Sequence, residues 1–270
     1  MRFDYKEFVR RNSPLLTPDD QDKIRKTRLL IAGCGQGSVT AETAVRIGFE
    51  KLVLVDGDTV ELTNMNRQAY DLEDVGHLKV EALSKRLKRI NPDCNLTLVP
   101  HFLKADNVSD IVSKVDIVVD FIDVLSFEDI FSLHREVLKQ RKCIVAPFGA
   151  GWGAAVIIFS PDSVNLGEMI QSRIGVRADQ VSGANILEVL QRFLIGLPAI
   201  PCYVSNSLAD LMIPGATQET VAACCAPSIA ALAASELTIA ATIRLVLGLP
   251  TRIAPEVIHF DPWLALDPSN

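Results

Sequence analysis

The stretch Arg28-Leu29-Leu30-Ile31-Ala32-Gly33-Cys34-Gly35-Gln36-Gly37-Ser38 is a short apolar run that enters a glycine-rich turn. An apolar-periodic segment, Ser38 to Ile47, follows and is stopped by Gly48. Strand, glycine turn and helix in that order open a nucleotide-binding βαβ unit. Glycine lets the backbone approach phosphate where a Cβ would clash or where φ must be positive. The helix that follows turns free N–H groups and its positive dipole end toward the anion. A second apolar run, Lys51 to Val55, ends in Asp56-Gly57-Asp58. Asp56 stands about 20 residues beyond the turn, where a carboxylate can accept hydrogen bonds from ribose hydroxyls.

Working outward, the loop from Thr59 to His77 lacks an apolar period and contains Asn64-Met65-Asn66-Arg67-Gln68. Long loops of this kind in compact domains are often functional. Lys79 then begins a helix whose apolar positions Val80, Leu83, Leu87 and Ile90 recur at helical spacing, ended by Asn91-Pro92. A protein that only holds a dinucleotide has little use for Arg67 and Lys79 beside its phosphates. An enzyme that breaks an α–β phosphate bond does, because charge moves onto departing pyrophosphate and preplaced cations must meet it.

The ordered set Gly-x-Gly-x-Gly-Ser, Asp-x-Asp, Asn-x-Asn-Arg-Gln, Val-Gly-x-x-Lys and Ile-Asn-Pro resembles the ThiF/MoeB/HesA family, kin of the adenylation domain of ubiquitin-activating enzymes. The resemblance spans roughly residues 10 to 160. It implies an ATP- and Mg²⁺-dependent adenylyltransferase that activates a carboxylate as an acyl-adenylate. It further implies that Gly33, Gly35 and Gly37 line the nucleotide and that Asp56, with Asp58 beside it, serves the ribose end. Asn64, Arg67 and Lys79 would meet the triphosphate. Asp123, in Asp120-Phe121-Ile122-Asp123-Val124, matches the aspartate that holds Mg²⁺, with Asp120 the alternative ligand and Asp123 then a helix N-cap neighbour. Arg11 resembles an arginine that reaches into the neighbouring subunit's ATP site of a homodimer; Arg10 is the other candidate. The chain departs from the family pattern at Val124, where asparagine is usual, at Asn12, where glutamine is usual, and in a glycine loop one residue shorter.

The resemblance points to the C-terminal glycine of a small ubiquitin-like or sulfur-carrier protein as acceptor. A second branch, the tRNA threonylcarbamoyladenosine dehydratases, activates a small carboxylate on a modified adenosine; it implies a basic, tRNA-sized face, which the acidic balance of this chain does not favour. A third reading is a non-catalytic or NAD-binding Rossmann protein. The net charge of −6 argues against a general binder of phosphate backbones, though a local basic groove is compatible with it.

Six cysteines contain no Cys-x-x-Cys, so the structural zinc site of several relatives is not expected. Cys202, in the loop Pro198 to Cys202, is the candidate thiol to receive an activated acyl group; Cys224 and Cys225 lie before a small-residue helix, and Cys34 is expected to pack behind the glycine loop. His77 and His134 show no partner pattern. The charged N-terminus lacks the apolar core of a signal peptide, and the scattered thiols suit a reducing, cytoplasmic setting.

The fold class expected is α/β, a Rossmann-like, doubly wound and mainly parallel sheet with flanking helices and a C-terminal elaboration. One domain covers 1–270: a helical arm over 1–27, a nucleotide-binding core over 28–160, and a substrate-facing and dimer-interface elaboration over 161–270. Within it, Thr17-Pro18-Asp19-Asp20 reads as a helix start running to Lys26. Further strands are expected at Leu96–Val99, Asp116–Asp120, Cys143–Ala146, Ala155–Phe159 and Val257–Phe260. Further helices are expected over Ser126–Gln140, Ala184–Ile195 and Ser228–Leu247. The last is apolar enough to raise a membrane span, but Glu236 at its middle and Arg244 near its end favour a buried or subunit-interface helix.

Overall fold

Leucine and β-branched residues dominate the strands, and each central strand is buried on both faces, as a parallel strand sandwiched between helices must be. The computed structural model describes residues 2–182, 185–195, 197, 201, 203–204 and 227–267. Strands β1 (Arg28–Ala32), β2 (Lys51–Val55), β3 (Asn95–Val99), β4 (Ile117–Asp120), β5 (Cys143–Ala150), β6 (Gly153–Phe159) and β7 (Ile258–Phe260) form one sheet. Their order is β3-β2-β1-β4-β5-β6-β7. β1 pairs in parallel with β2 on one side (Ile31 opposite Leu54) and β4 on the other (Ile31 opposite Val119). The chain therefore reverses its direction of winding between β1 and β4, and the crevice this opens at their carboxyl ends is where α/β sheets hold ligands.

The far edge differs from a purely parallel sheet. β5 and β6 form an antiparallel hairpin from Ile144 opposite Phe159 to Ala150 opposite Gly153, and β7 adds antiparallel to β6. β5 is longer than its expected span because Pro147 to Ala150 continue the pairing into the turn.

Alternation along the strands sorts side chains into two layers. Leu30, Ala32, Val53, Val55 and Val118 face helices α5 (Val108–Ser113), α6 (Phe127–Lys139) and α7 (Leu166–Ile174). Leu29, Ile31, Leu52, Leu54 and Val119 face α2 (Pro18–Lys26), α3 (Gly37–Ile47), α4 (Lys79–Ile90) and α9 (Ser228–Val246). Among the described residues the remaining α-helices are α1 (Tyr5–Phe8), α8 (Ile186–Ile195) and α10 (Pro262–Ala265). Thr17 and Asp20 form a reciprocal capping box on α2, as the Thr-Pro-Asp-Asp signature requires. The short helices α5 and α7 have no counterpart in the sequence reading; α7 begins at a capping box of Asn165 and Glu168.

α9 is long and apolar enough to cross a membrane by length and composition alone. Its Ala230, Ala231, Ala233, Ala234, Ser235, Thr238 and Ala241 are buried, and the helix packs on β5, β6 and α3. Ser235 Oγ donates to Thr43 Oγ1 of α3 at 2.9 Å. Small side chains bring the helix backbone close to the sheet, so this face belongs to the interior, as expected.

Candidate functional site

The glycine turn is built by contacts that a side chain would break. Gly33 has φ +90°, and a Cβ there would run into the Phe121 carbonyl at the end of β4. Its N–H donates to Val55 O at 2.9 Å. A Cβ on Gly37 would lie 2.8 Å from Ile31 Cγ2 and 3.1 Å from Phe121 Cδ2, so helix and strand meet here without room for more. A Cβ on Gly35 would lie 3.3 Å from the Gln68 side-chain nitrogen, so the 59–77 loop closes against the turn here. Ser38 clasps the two: its Oγ donates to Gly35 O at 2.6 Å and accepts from the Ala69 N–H at 2.9 Å. Gln36 caps α3 without a side-chain hydrogen bond, so the first amides of the helix are not met by a capping side chain.

Asp56 ends β2 and is 7% exposed. Oδ2 accepts the Cys34 N–H at 2.7 Å and Oδ1 the Asp58 N–H at 2.8 Å. Burial raises its pKa, opposed chiefly by the positive charge of Lys79. Lys79, the first residue of α4, is also 7% exposed, and its Nζ lies 2.9 Å from Asp58 Oδ2. Tyr70, buried, donates to Cys34 O at 2.6 Å and so ties the loop to the glycine turn from beneath. Gly33, Gly35, Gly37, Asp56, Asp58 and Lys79 therefore converge.

Arg67 lies in the same loop, with Nη1 donating to Thr63 O at 2.8 Å and Asn66 Oδ1 at 2.9 Å. These bonds hold the guanidinium to its own turn. Asn64 is buried, and its Oδ1 accepts the Glu61 N–H at 3.1 Å, so its carbonyl end shapes the loop.

At the end of β4 the two aspartates separate. Asp120 is buried; Oδ1 accepts the Ile122 N–H at 3.0 Å, and Oδ2 meets His134 Nε2 at 2.9 Å. The absence of a partner pattern for His134 is thus corrected: its partner is set by packing of α6 on the sheet, with no spacing in sequence to announce it. Asp120 is buried with a hydrogen bond on each oxygen, which makes it the less accessible of the two candidate metal ligands. Asp123 is exposed, and its Oδ1 accepts the Leu125 N–H at 2.9 Å in a local turn. Because Phe121 O abuts Gly33, this loop borders the glycine turn. A single accessible carboxylate is compatible in chemistry with Mg²⁺, which takes one or two carboxylates with phosphate and water. Among the described residues no group of three His, Cys, Asp or Glu could hold a metal ion.

Arg11 does not join the cluster within one chain. Asn12 beside it donates to Ile47 O at 3.0 Å and Gln21 Oε1 at 2.8 Å, anchoring the arm at the carboxyl end of α3. The glycine turn lies at the opposite end of that 11-residue helix, about 16 Å away. Arg10 pairs with Glu7. Cys202, Cys224 and Cys225 lie outside the described residues. Cys34 is fully buried behind the turn and its thiol is pushed well up by burial; Cys94 is pushed up to about 12 for the same reason. Neither suits nucleophilic work.

Phe102 escaped the sequence reading. It is half exposed just past β3, and its ring stands 3.0 Å from where a Gly57 Cβ would be, forming an apolar wall beside Asp56 and Asp58. The signal available was a glycine between two aspartates, which leaves space for a neighbouring ring.

The ThiF family profile matches residues 9–265. The tRNA threonylcarbamoyladenosine dehydratase of Escherichia coli (strain K12) is 42% identical over 154 residues, 53% of this chain and 57% of that protein. The sulfur carrier protein ThiS adenylyltransferase of the same organism is 26% identical over 162 residues, 58% of this chain and 64% of that protein. The chain thus spans about half to two thirds of the length of these curated relatives. A crystal structure of the E. coli dehydratase in complex with ATP superposes with a TM-score of 0.61 at 19% identity, covering 90% of this chain and 95% of that one, a likeness of fold. With a profile match that runs nearly end to end and a glycine turn, acidic strand end and buried lysine converging at the sheet's switch point, the chain belongs to the ThiF family.

Proposed function

We propose that this chain binds ATP in the crevice between β1 and β4 and transfers its adenylyl group to a carboxylate. The carboxylate oxygen attacks the α-phosphorus, the bond from that phosphorus to the bridging oxygen breaks, and pyrophosphate leaves with the electron pair. The observation that carries this reading is the buried Lys79 ammonium, paired with Asp58 two residues beyond the strand-ending Asp56 whose Oδ2 holds the glycine turn. A cation held out of water at a phosphate site acts on departing charge without reorganising. ThiF-family membership and the ATP complex of the E. coli dehydratase support the choice of nucleotide.

In this reading the glycine turn and the α3 amides hold phosphate, Asp56 accepts from ribose, and Phe102 walls the adenine. Arg67 and Asn64 swing to the polyphosphate. Asp123 would hold Mg²⁺, which supplies charge neutralisation when bound. Arg11 would serve a neighbouring subunit's site. Two acceptors have support among relatives: a carrier-protein C-terminus, from the ThiS adenylyltransferase, and a nucleoside carboxylate, from the dehydratase. The higher identity over comparable length favours the second.

Incubation with ATP labelled at the α-phosphate, offered tRNA or a small protein ending in Gly-Gly, tests the proposal. Label on an acyl-adenylate, and on the AMP released when a second nucleophile displaces it, that appears only with an acceptor is the expected result. ATP that stays intact with both, together with saturable NADH binding, would replace this reading with a redox one.

A further inference from the structure

Residues 121–126 connect β4 to α6, and this connection carries Asp123. Its start is pinned to the sheet: the Phe121 N–H donates to Ala32 O at 2.7 Å, and the Phe121 carbonyl fills the space a Gly33 Cβ would need. Its end is pinned to the helix. Asp123 takes the Leu125 N–H on Oδ1 at 2.9 Å and the Ser126 N–H on its backbone carbonyl at 2.8 Å, just before α6 begins. Where the Asp123 carboxylate stands therefore depends on how α6 is set against β4.

That setting is fixed by a buried polar pair. His134 of α6, 3% exposed, meets Asp120 Oδ2 with Nε2 at 2.9 Å, and Asp120 Oδ1 takes the Ile122 N–H at 3.0 Å. One carboxylate thus ties the start of the connection to a point about 10 Å along the helix that follows it. The imidazole is otherwise set in hydrocarbon: it stands edge-on to Phe159 of β6, ring centroids 4.9 Å apart, and its Nδ1 is buried with no hydrogen-bond partner among the described residues. A second tie leaves the first turn of the same helix. Asp129 Oδ2 pairs with Lys104 Nζ at 2.6 Å, and Lys104 lies 5.9 Å from the centre of the Phe102 ring. The Phe102 wall and the Asp123 carboxylate are therefore referred to one helix.

Stability alone does not account for the His134–Asp120 pair. The layer around it includes Val118, Leu133, Val137 and Phe159, all fully buried. A polar pair with an orphaned nitrogen in such a layer is generally no more stable than apolar residues of the same volume. What hydrocarbon cannot supply is direction, since a hydrogen bond fixes both a distance and an angle between helix and strand.

We propose that His134 is a positioning residue for adenylyl transfer: through Asp120 it holds the β4–α6 connection so that the Asp123 carboxylate can take up Mg²⁺ beside the nucleotide. The use made of Asp123 rests on the adenylation reading; the anchoring of the connection stands on the contacts alone. His134 gives no group to the reaction, and its effect passes through Asp120 and the backbone of 121–126.

Two variants of the full chain test this. His134→Phe keeps a ring against Phe159 and removes the N–H, whereas His134→Gln keeps a donor of similar reach. Without ligand, hydrogen exchange over 121–126 speeds up about ten-fold in His134→Phe, while β1 and β2 keep their protection. Calorimetry with an ATP analogue that carries a methylene between its α- and β-phosphorus atoms shows affinity about ten-fold weaker with Mg²⁺ and near wild type without it. His134→Gln recovers part of each loss. A lower melting temperature with wild-type exchange over 121–126 and wild-type Mg²⁺ dependence would make the pair structural only and overturn the proposal. If His134→Phe does not fold, His134→Gln decides: a smaller shift of both readouts in the same direction upholds the proposal, and wild-type values of both overturn it. Wild-type protein that binds no ATP would strike the adenylation reading instead, and exchange over 121–126 would still uphold or refute the anchor.

Discussion

The side chain of Lys79 pairs with that of Asp58 at 2.9 Å while the Lys79 backbone N–H donates to the Asp58 carbonyl, also at 2.9 Å. One residue thus holds both ends of the other, and the ammonium is fixed at the start of α4 before any ligand arrives. The two partners are unequal: the Lys79 side chain is 9% exposed and that of Asp58 53%.

That inequality predicts different consequences of removing each. Lys79→Ala leaves Asp58 to water but takes from the buried Asp56 carboxylate the charge that opposes its burial, so stability falls modestly while adenylation falls about 10²–10³-fold. Asp58→Ala leaves a buried ammonium without its partner and costs about 1–2 kcal/mol of stability, moderated because solvent already reaches the pair. Thermal melts of both variants beside turnover of labelled ATP check this; equal losses of stability and activity in Lys79→Ala would assign the lysine a structural role.

Asp56 gives a prediction in pH. Its folded pKa is raised above 3.8, mainly by burial. Between the unfolded value and the raised folded one, the native state holds more protons than the unfolded state. Stability from this group is therefore full below the unfolded value and is lost as pH rises through the folded one. Asp56→Asn removes that loss. Urea midpoints should shift in favour of the variant as pH climbs from about 4 toward neutrality, while its affinity for ATP drops. A stability difference that stays flat across that range would contradict the burial argument.

Gly33→Ala should damage fold and site together. The alanine must hold φ near +90° and displace the Phe121 carbonyl, a strain of about 1–3 kcal/mol. Lower urea midpoints accompanied by weaker ATP binding are expected; a variant with ordinary stability would show that the β4 loop yields to the turn.

The two aspartates after β4 should separate by measurement as they do by contact. Asp120→Ala strands His134 in the interior and lowers stability by about 1–3 kcal/mol. Asp123→Asn leaves melting unchanged and raises the Mg²⁺ concentration needed for half-maximal adenylation. The reverse pattern would move the metal role to Asp120.

The nucleotide half of the chain was legible because its chemistry is local. Gly33 and Asp56 sit at strand ends that apolar runs announce, Gly37 opens the helix after the first of them, and Lys79 opens a helix whose stripe of Val80, Leu83 and Leu87 is unmistakable. Contacts between distant segments left no such mark. Nothing near Asp120 points to His134 on α6, and nothing near Trp152 points to the stacked ring of Trp263 more than a hundred residues on. The antiparallel edge was hidden for a related reason: β5, β6 and β7 are apolar runs whose direction depends on a hairpin turn and a long return, neither of which periodicity encodes.

Exchange of labelled pyrophosphate into ATP tests the central claim most directly, since it requires that adenylate form and reverse on the enzyme. Wild-type protein with Mg²⁺ and a carboxylate acceptor, tRNA or Gly-Gly-ending protein, should incorporate label, and Lys79→Ala should incorporate about a hundred-fold less. Label entering ATP equally well with Lys79→Ala, or none entering with wild-type protein in the presence of either acceptor, would contradict the account.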